Sequence, residues 1–352
     1  MSKKVELKNE TANGTKPLLD AVFGNSEEEI FKLKDESVDI ICIDPPYLYL
    51  KNQKLERVFD EQLFFEECKR VLQKDGFIIL FGRGSSFYRW NNILDNLGFA
   101  FKEEIIWDKS QCSSPLMNLS RVHETISIHT KGSGTINKVK VPYIEMKRHD
   151  IGSIIQDIKR LKSVFTQPKS LDAVNEFLEK NKRDVSDSWE KNNLSISSNI
   201  TKEDRSVSVL RSVKDGMNEK SIIRTDMQAP SNPRKGVTCE AMKPTGDRCV
   251  NVVQSVEFGM NEKSIIKQVR DHYKSIHPTQ KPVKLIERLI QLCLPNKPRN
   301  EILVADFFAG SFSCGEACYN LGVNFRGYEI DIEYFDSGCE RLKKIQYQTR
   351  MF

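Results

Sequence analysis

An acid, two prolines and a tyrosine stand in a row at Asp44-Pro45-Pro46-Tyr47, directly after the apolar run Val38 to Ile43. Neither proline carries an N–H, each fixes φ near about −65°, and each pushes the residue before it into an extended conformation. The tetrapeptide therefore reads as a stiff tip at the end of a strand. The Asp44 carboxylate and the carbonyls around Pro45 and Pro46 are acceptors pointing one way, with no donor among them and the flat Tyr47 ring alongside. A tip of that kind suits a planar group bearing an NH2. A plain proline turn would use the same residues, so the tip alone does not decide.

A second group lies at Asp306-Phe307-Phe308-Ala309-Gly310-Ser311-Phe312-Ser313, between a strand-like Ile302 to Ala305 and a helical pattern from Ser313 to Leu321. A tight turn from a strand's C-terminal end into a helix aims backbone N–H groups at a ligand, and a glycine lets that ligand approach closely. Gly327-Tyr328-Glu329 then ends the following strand, where a carboxylate can accept hydrogen bonds from ribose hydroxyls. Cys239 and Cys249, with His272 and His277, match none of the usual zinc-ligand pair spacings, and no metal is expected.

The elements that must position these residues fall into two zones. In residues 20–130, strands are expected at Val38 to Ile43, Phe77 to Phe81, Ile105 to Trp107 and Thr125 to His129, with helices at Phe64 to Leu72 and Phe87 to Leu97. In residues 277–352, helices are expected at Val283 to Leu294, Ser313 to Leu321 and from about Tyr334, with strands at Ile302 to Ala305 and Asn324 to Tyr328. Strands alternating with helices predict an α/β layered sheet, and both zones read as pieces of one sheet.

The stretch between them differs. Residues 180–261 are rich in Lys, Ser and Asn with weak periodicity, and they carry a repeat, Ser212 to Ile223 and Ser255 to Ile266, which shares Gly-Met-Asn-Glu-Lys-Ser-Ile-Ile. Two copies are too few for a solenoid and point to duplication of one small unit. The whole chain of 352 residues has a net charge of +5, but from Lys131 to Lys274 there are 27 Lys and Arg against 19 Asp and Glu. The positive charge is concentrated in the middle, as expected of a region that meets a polyanion. A charged fraction of 29%, no apolar stretch of membrane-spanning length and a start, MSKKVELKNE, without an apolar core predict a soluble, cytoplasmic protein that engages no membrane. Nine cysteines, several inside apolar patterns, predict reduced buried thiols.

Taken together, these residues resemble the amino-methylating DNA methyltransferases in their permuted arrangement, the β class. Asp44-Pro45-Pro46-Tyr47 resembles the catalytic motif, Asp306 to Ser313 the S-adenosylmethionine motif, and His277-Pro-Thr-Gln-Lys-Pro282 the segment leading into the cofactor-side helix. Trp107-x-Lys109 and His123-Glu124 fall where members of the class often carry such pairs. The order of motifs, catalytic first and cofactor last, matches as well.

The resemblance implies a Rossmann-like, S-adenosylmethionine-dependent methyltransferase sheet with an inserted target-recognition region. Its division is 1–135 for the catalytic half, 136–274 for the insert and 275–352 for the cofactor-binding half. In a sheet of order 3-2-1-4-5 the strands ending at Asp44 and Asp306 become neighbours at the switch point. Asp44, Pro45, Pro46 and Tyr47 are the implied catalytic residues; Asp306, Phe308, Ala309, Gly310, Ser311, Glu329, Thr279, Lys281 and Asn25 are the implied cofactor contacts. Asp44 and the Pro45 carbonyl would accept the two hydrogens of an exocyclic amine, Tyr47 would stack on the base, and the nucleotide would be flipped out of double-stranded DNA. Asp at the first motif position favours the N6 amine of adenine over N4 of cytosine. Methylation at carbon 5 of cytosine is excluded, since its attacking thiolate comes from a Pro-Cys pair that this chain lacks. A homodimer and a cognate restriction enzyme are the further partners the class brings with it.

Phe307 stands where the class usually has proline, and Phe312 where it usually has its second glycine. Phenylalanine needs room and takes positive φ only at a cost, so the turn is expected to be built differently here. A catalytically silent DNA-binding relative is the reading this departure leaves open.

Overall fold

The structure is a computed structural model that describes residues 3–7, 10–11, 14–15, 17–47, 57–109, 122–147, 151–162, 256, 258–268 and 280–348. Thr279, His277, His272, Cys239, Cys249 and the first copy of the repeat lie outside the described residues. The chain divides into two compact units, one of residues 1–116, 121–139 and 263–352, the other of 117–120 and 140–262.

The first unit is built on one nine-stranded sheet. Its strands in chain order are β1 (Lys3–Leu7), β4 (Leu19–Phe23), β5 (Val38–Ile43), β6 (Leu72–Gly82), β7 (Ala100–Asp108), β8 (His123–Thr130), β11 (Ile265–Lys267), β12 (Leu303–Asp306) and β13 (Asn324–Glu329). A two-strand ribbon, β2 (Glu10–Thr11) with β3 (Gly14–Thr15), stands apart from it. Across the sheet the order is β1-β4-β13-β12-β5-β6-β8-β7-β11. The five strands from β4 to β6 pair in parallel, and β8 runs antiparallel between β6 and β7.

Every residue of β5 is buried, which is why its sequence is apolar without alternation save for Asp39, whose carboxylate accepts the Leu303 N–H at 2.8 Å and pairs with Lys297 at 2.6 Å. Period-2 geometry still sorts the side chains. Ile40 and Cys42 join one core, with Leu285, Leu289, Val304 and Cys314, while Ile41 and Ile43 join the other, with Phe64, Trp90, Ala305 and Phe307. The first core lies beneath α6 (Val283–Cys293), α7 (Ser313–Leu321) and α8 (Ile332–Gln348). The second lies beneath α2 (Glu61–Val71) and α3 (Gly84–Asn96), with the short α1 (Ser26–Glu29) beside them. Helix α2 starts where Asp60 accepts the Leu63 N–H at 3.0 Å, and it buries Phe64, Phe65, Cys68 and Val71, a helical stripe. Cys42, Cys68, Cys293, Cys314, Cys318 and Cys339 are buried free thiols.

The expected helices and strands lie within a few residues of those observed, and the strands ending at Asp44 and Asp306 are indeed neighbours. Strands β1, β4 and β11 were not legible. In β4 a charged residue interrupts a short apolar run: Asp20 is 1% exposed, and Arg326 of β13 holds it at 2.8 Å. Strand β11 has three residues and lies at an edge.

In the second unit, β9 (Lys140–Val141) pairs antiparallel with β10 (Met260–Asn261), and α4 (Tyr143–Lys147) and α5 (Ile151–Lys162) follow β9. Asp157 of α5 accepts from Tyr143 and Lys147 of α4, each at 2.8 Å. The second copy of the repeat runs through β10 and β11, and its Gly259 has φ +75° where a Cβ would meet the Val141 carbonyl at 2.6 Å. No helix among the described residues is long and apolar enough to cross a membrane.

Phe312 corrects one expectation. It does take a left-handed conformation, φ 56° and ψ 31°, as the cap residue preceding α7, and it is fully buried. Room for it comes from two glycines. A Cβ on Gly338 of α8 would overlap the Phe312 ring, and one on Gly327 of β13 would lie 2.8 Å from it. The ring packs edge-on against Phe325 and Phe335, at 6.1 Å from each. Core burial thus offsets the backbone cost that a glycine at this position would avoid. Gly338→Ala is expected to destabilise the protein by about 1–3 kcal/mol through overpacking. Gly152→Ala, where a Cβ meets nothing within 4 Å, is expected to be neutral or stabilising. Thermal unfolding of the two variants checks this contrast.

Candidate functional site

Strands β5 and β12 end side by side, with Val304 opposite Ile40 and Ala305 opposite Ile41. From β12 the chain turns through α7 to β13 on one side; from β5 it passes through α2 to β6 on the other. Such a divergence leaves a crevice at the strand ends, the usual place for ligands in open α/β sheets.

At the β12 end, Asp306 is 8% exposed, and its carboxylate accepts the Phe308 N–H at 3.0 Å. Burial, with Asp44 and Glu329 nearby, pushes its carboxyl up to about 8 despite that hydrogen bond and the nearby Lys281. Phe307 stacks on Tyr328 at 5.0 Å, and its carbonyl accepts from the Ser26 hydroxyl. Phe308 is half-buried between Phe59 and Phe64, at 5.4 and 5.3 Å. The turn continues through Ala309, whose N–H reaches the Tyr328 carbonyl at 2.9 Å, and Gly310 at φ +50°, a conformation suited to glycine. Arg341 of α8 donates to the Ser311 carbonyl at 2.9 Å and to its hydroxyl at 3.1 Å.

Glu329 ties the turn to the end of β13. One carboxylate oxygen accepts the Gly310 N–H at 2.8 Å, the other the Asp331 N–H at 2.7 Å. Burial raises its pKa, and these backbone donors oppose the shift. Asp331 caps α8 by accepting from Glu333 at 3.0 Å. Asn25 follows Gly24, whose N–H meets the Glu329 carbonyl at 3.0 Å, so it sits at the same edge; its side chain caps α1 by accepting from Glu27 at 3.2 Å.

At the β5 end the structure corrects the picture of an acceptor tip without donors. Lys281 donates to Asp44 Oδ2, and the Tyr47 hydroxyl donates to Oδ1. Pro45 is buried, Pro46 and Tyr47 half-buried, and the Tyr47 carbonyl accepts from Ser86 of α3 at 2.7 Å. The Lys281 ammonium also lies 3.4 Å from Glu124 Oε2 and 5.3 Å from the centre of the Phe81 ring. Glu124 in turn receives Lys109 at 3.1 Å on its other oxygen. Lys109, Glu124, Lys281, Asp44 and Tyr47 therefore form one chain of contacts across the ends of β7, β8 and β5. Sequence reasoning placed Lys281 among cofactor contacts and flagged Lys109 and Glu124 only as family pairs. The available signal was an ionisable residue at each strand end; what joined them was sheet order, invisible locally.

Four carboxyls (Asp44, Asp306, Glu329, Glu124) and two ammoniums (Lys109, Lys281) thus gather in or beside a strand-end crevice of a doubly wound sheet. In open α/β sheets such a crevice is the usual seat of a ligand. The N6_N4_Mtase family, described as DNA methylase, matches residues 38–340, most of the chain, and the chain belongs to that family.

Curated relatives align over shorter stretches. The chain is 30% identical over 130 residues to the type II methyltransferase M.HinfI of Haemophilus influenzae, covering 29% of this chain and 35% of that protein. It is 41% identical over 76 residues to the DNA adenine methyltransferase YhdJ of Escherichia coli (strain K12), covering 22% and 24%. The chain thus spans about a third and a quarter of the length of these two relatives. The M1.HpyAVI–SAM complex overlays with a TM-score of 0.46 at 16% identity, covering 92% of this chain and 100% of that one. The PvuII DNA methyltransferase (cytosine-N4-specific) overlays at 0.48 and 13%, covering 94% of each.

The Asp306 carboxyl has a checkable consequence. In the unfolded chain it ionises near 3.8, whereas in the folded chain it holds its proton to about pH 8. Between those limits the unfolded chain binds fewer protons, so this group lowers stability as pH rises. Asp306→Asn is expected to raise the thermal midpoint by an amount that grows from about pH 4 to about 8. Scans across that range that show a constant offset would mean the carboxyl is not held protonated.

Proposed function

We propose that the protein is a β-class DNA methyltransferase with a DPPY catalytic tetrapeptide, Asp44-Pro45-Pro46-Tyr47. In this reading it transfers a methyl group from S-adenosylmethionine to the N6 amine of adenine in double-stranded DNA. The observation that carries it is the placement of the Asp44 tip beside the Asp306–Gly310 turn at adjoining strand ends. Membership of the DNA methylase family supports the reaction class. The adenine specificity of its relative YhdJ and the acid at the first motif position support adenine over cytosine N4.

The residues present fit the cofactor. Its sulfonium and amino groups are cationic, and Asp306 is held protonated partly because other carboxyls crowd it. A cation arriving there would relieve that crowding. Glu329 keeps lone pairs for ribose hydroxyls beyond the two N–H groups it accepts, and the half-buried Phe308 offers an apolar wall. Asp306, Ala309, Gly310 and Ser311 would line the same cradle, with Asn25 at its edge and Thr279 as a further contact. When bound, the cofactor supplies an electrophilic methyl group.

The chain's own part is to make a poor nucleophile attack. An exocyclic amine has its lone pair delocalised into the ring. Asp44 and the Pro45 carbonyl accept its two hydrogens, draw the nitrogen toward tetrahedral geometry and aim its lone pair at the methyl carbon. Tyr47 stacks on the base, which must leave the helix to reach the tip. Residues 136–274 supply target recognition, a role supported by their excess of Lys and Arg. Cytoplasmic location, a homodimer and a cognate restriction enzyme complete the reading; light scattering of the purified protein decides the dimer.

Asp44→Ala is expected to lower the rate of methyl transfer to duplex DNA by more than about 10²-fold while cofactor affinity stays near wild type. Near-normal turnover would remove Asp44 from the chemistry. Glu329→Ala is expected to weaken S-adenosylmethionine binding by about tenfold or more in calorimetry. Strands β9 and β10 are antiparallel partners, so replacing residues 143–259 by a short linker joins ends that are already adjacent. The shortened protein is expected to keep cofactor binding and lose site-specific methylation; modification of the same sites would place recognition elsewhere.

A further inference from the structure

Lys281 sits where a second cation is least welcome. Its ammonium is hydrogen-bonded to the carboxylate that, on the reading above, must accept an N–H from the target amine. As the amine takes the methyl group, positive charge develops on its nitrogen. An ammonium held on the same carboxylate lies within about two hydrogen-bond lengths and opposes that charge. Three features of its surroundings bear on this. The side chain is 7% exposed, so water does little to screen it. A second carboxylate oxygen, Glu124 Oε2, lies 3.4 Å from the same Nζ. The Phe81 ring lies 5.3 Å from it and offers a face on which an ammonium can move between acceptors.

We propose that Lys281 is a positioning residue that guards the amine seat: it rests on Asp44 while the seat is empty and transfers to Glu124 when the target amine takes the carboxylate. The inference rests on the assignment of Asp44 as the amine's acceptor and extends it. At rest the ammonium offsets the charge of a carboxylate that lies near Asp306. During transfer it leaves Asp44 able to accept. Glu124, already joined to Lys109 at 3.1 Å on its other oxygen, is held ready as the second seat. A lysine suits the part because its ammonium is a point charge on a flexible stem, whereas an arginine would fork onto the Asp44 carboxylate and stay there.

The test is single-turnover methyl transfer to duplex DNA by wild type, Lys281→Met, Lys281→Arg, Glu124→Gln and the Glu124→Gln/Lys281→Met double variant. Circular dichroism and thermal unfolding of each certify the fold. A guard predicts that Lys281→Arg, which keeps the charge, is slower than Lys281→Met by about tenfold. It also predicts that Glu124→Gln, which removes the second seat, is slow and becomes faster when Lys281 is replaced as well. A lysine serving only to hold the fold together through its ion pairs predicts the reverse order, Arg better than Met and the double variant slowest. Either reversed order, in variants that are folded and saturated with cofactor, overturns the guard. A wild-type protein that transfers no methyl group to DNA would instead count against the assignment of function on which the guard rests.

Discussion

Parallel pairing of β5 with β12 is the constraint on which the site depends. The two strands come from distant parts of the sequence, and each has an acid at its end, Asp44 just after β5 and Asp306 as the last residue of β12. Paired in register and buried on both faces, they bring those acids to one crevice. Core side chains on the two faces of β5 fix that register, because a slip of one residue would exchange Ile40 and Cys42 with Ile41 and Ile43. Burying clustered carboxyls has an electrostatic cost: burial first, and the neighbouring Asp44 and Glu329 after it, push the Asp306 carboxyl up to about 8. Backbone N–H groups on Glu329 and the ammonium of Lys281 on Asp44 offset part of it.

How much of this could be read in the sequence followed the range of the interactions. Val38 to Ile43 announced itself as a buried strand because its six residues are apolar or lie in an apolar frame, and the prolines that follow end it unaided. The turn at Asp306 to Ser313 was legible for the same reason, a strand, a glycine and a helix in immediate succession. The partner of Asp44 was not, since Lys281 reaches it from a segment 237 residues away. Nor was the way Phe312 fits. Its left-handed backbone is allowed by Gly327 and Gly338, whose absent side chains leave the ring its space, and no local pattern reports that. Strand β4 escaped because Asp20 breaks its apolar run, while its compensation, Arg326, belongs to β13.

The same logic explains why the site is asymmetric. The proposed cofactor cradle is held largely by hydrogen bonds to backbone groups: Ala309 on the Tyr328 carbonyl, Gly310 and Asp331 on Glu329, Arg341 on Ser311. The Asp44 side is built from long side chains, Lys281, Lys109 and Glu124, of which Lys281 and Glu124 each have two ion-pair partners within reach. A cradle fixed by backbone hydrogen bonds suits a ligand that is the same in every turnover. Adjustable ion pairs suit a seat that a base must enter and leave.

The central claim is that this crevice methylates the exocyclic amine of adenine. Its most direct test is to incubate the protein with S-adenosylmethionine and DNA, digest the DNA to nucleosides and identify the methylated species by mass spectrometry. The account predicts N6-methyldeoxyadenosine. N4-methyldeoxycytidine, or methyl groups on a ring carbon, which has no amine hydrogens for Asp44 and the Pro45 carbonyl to accept, would contradict it.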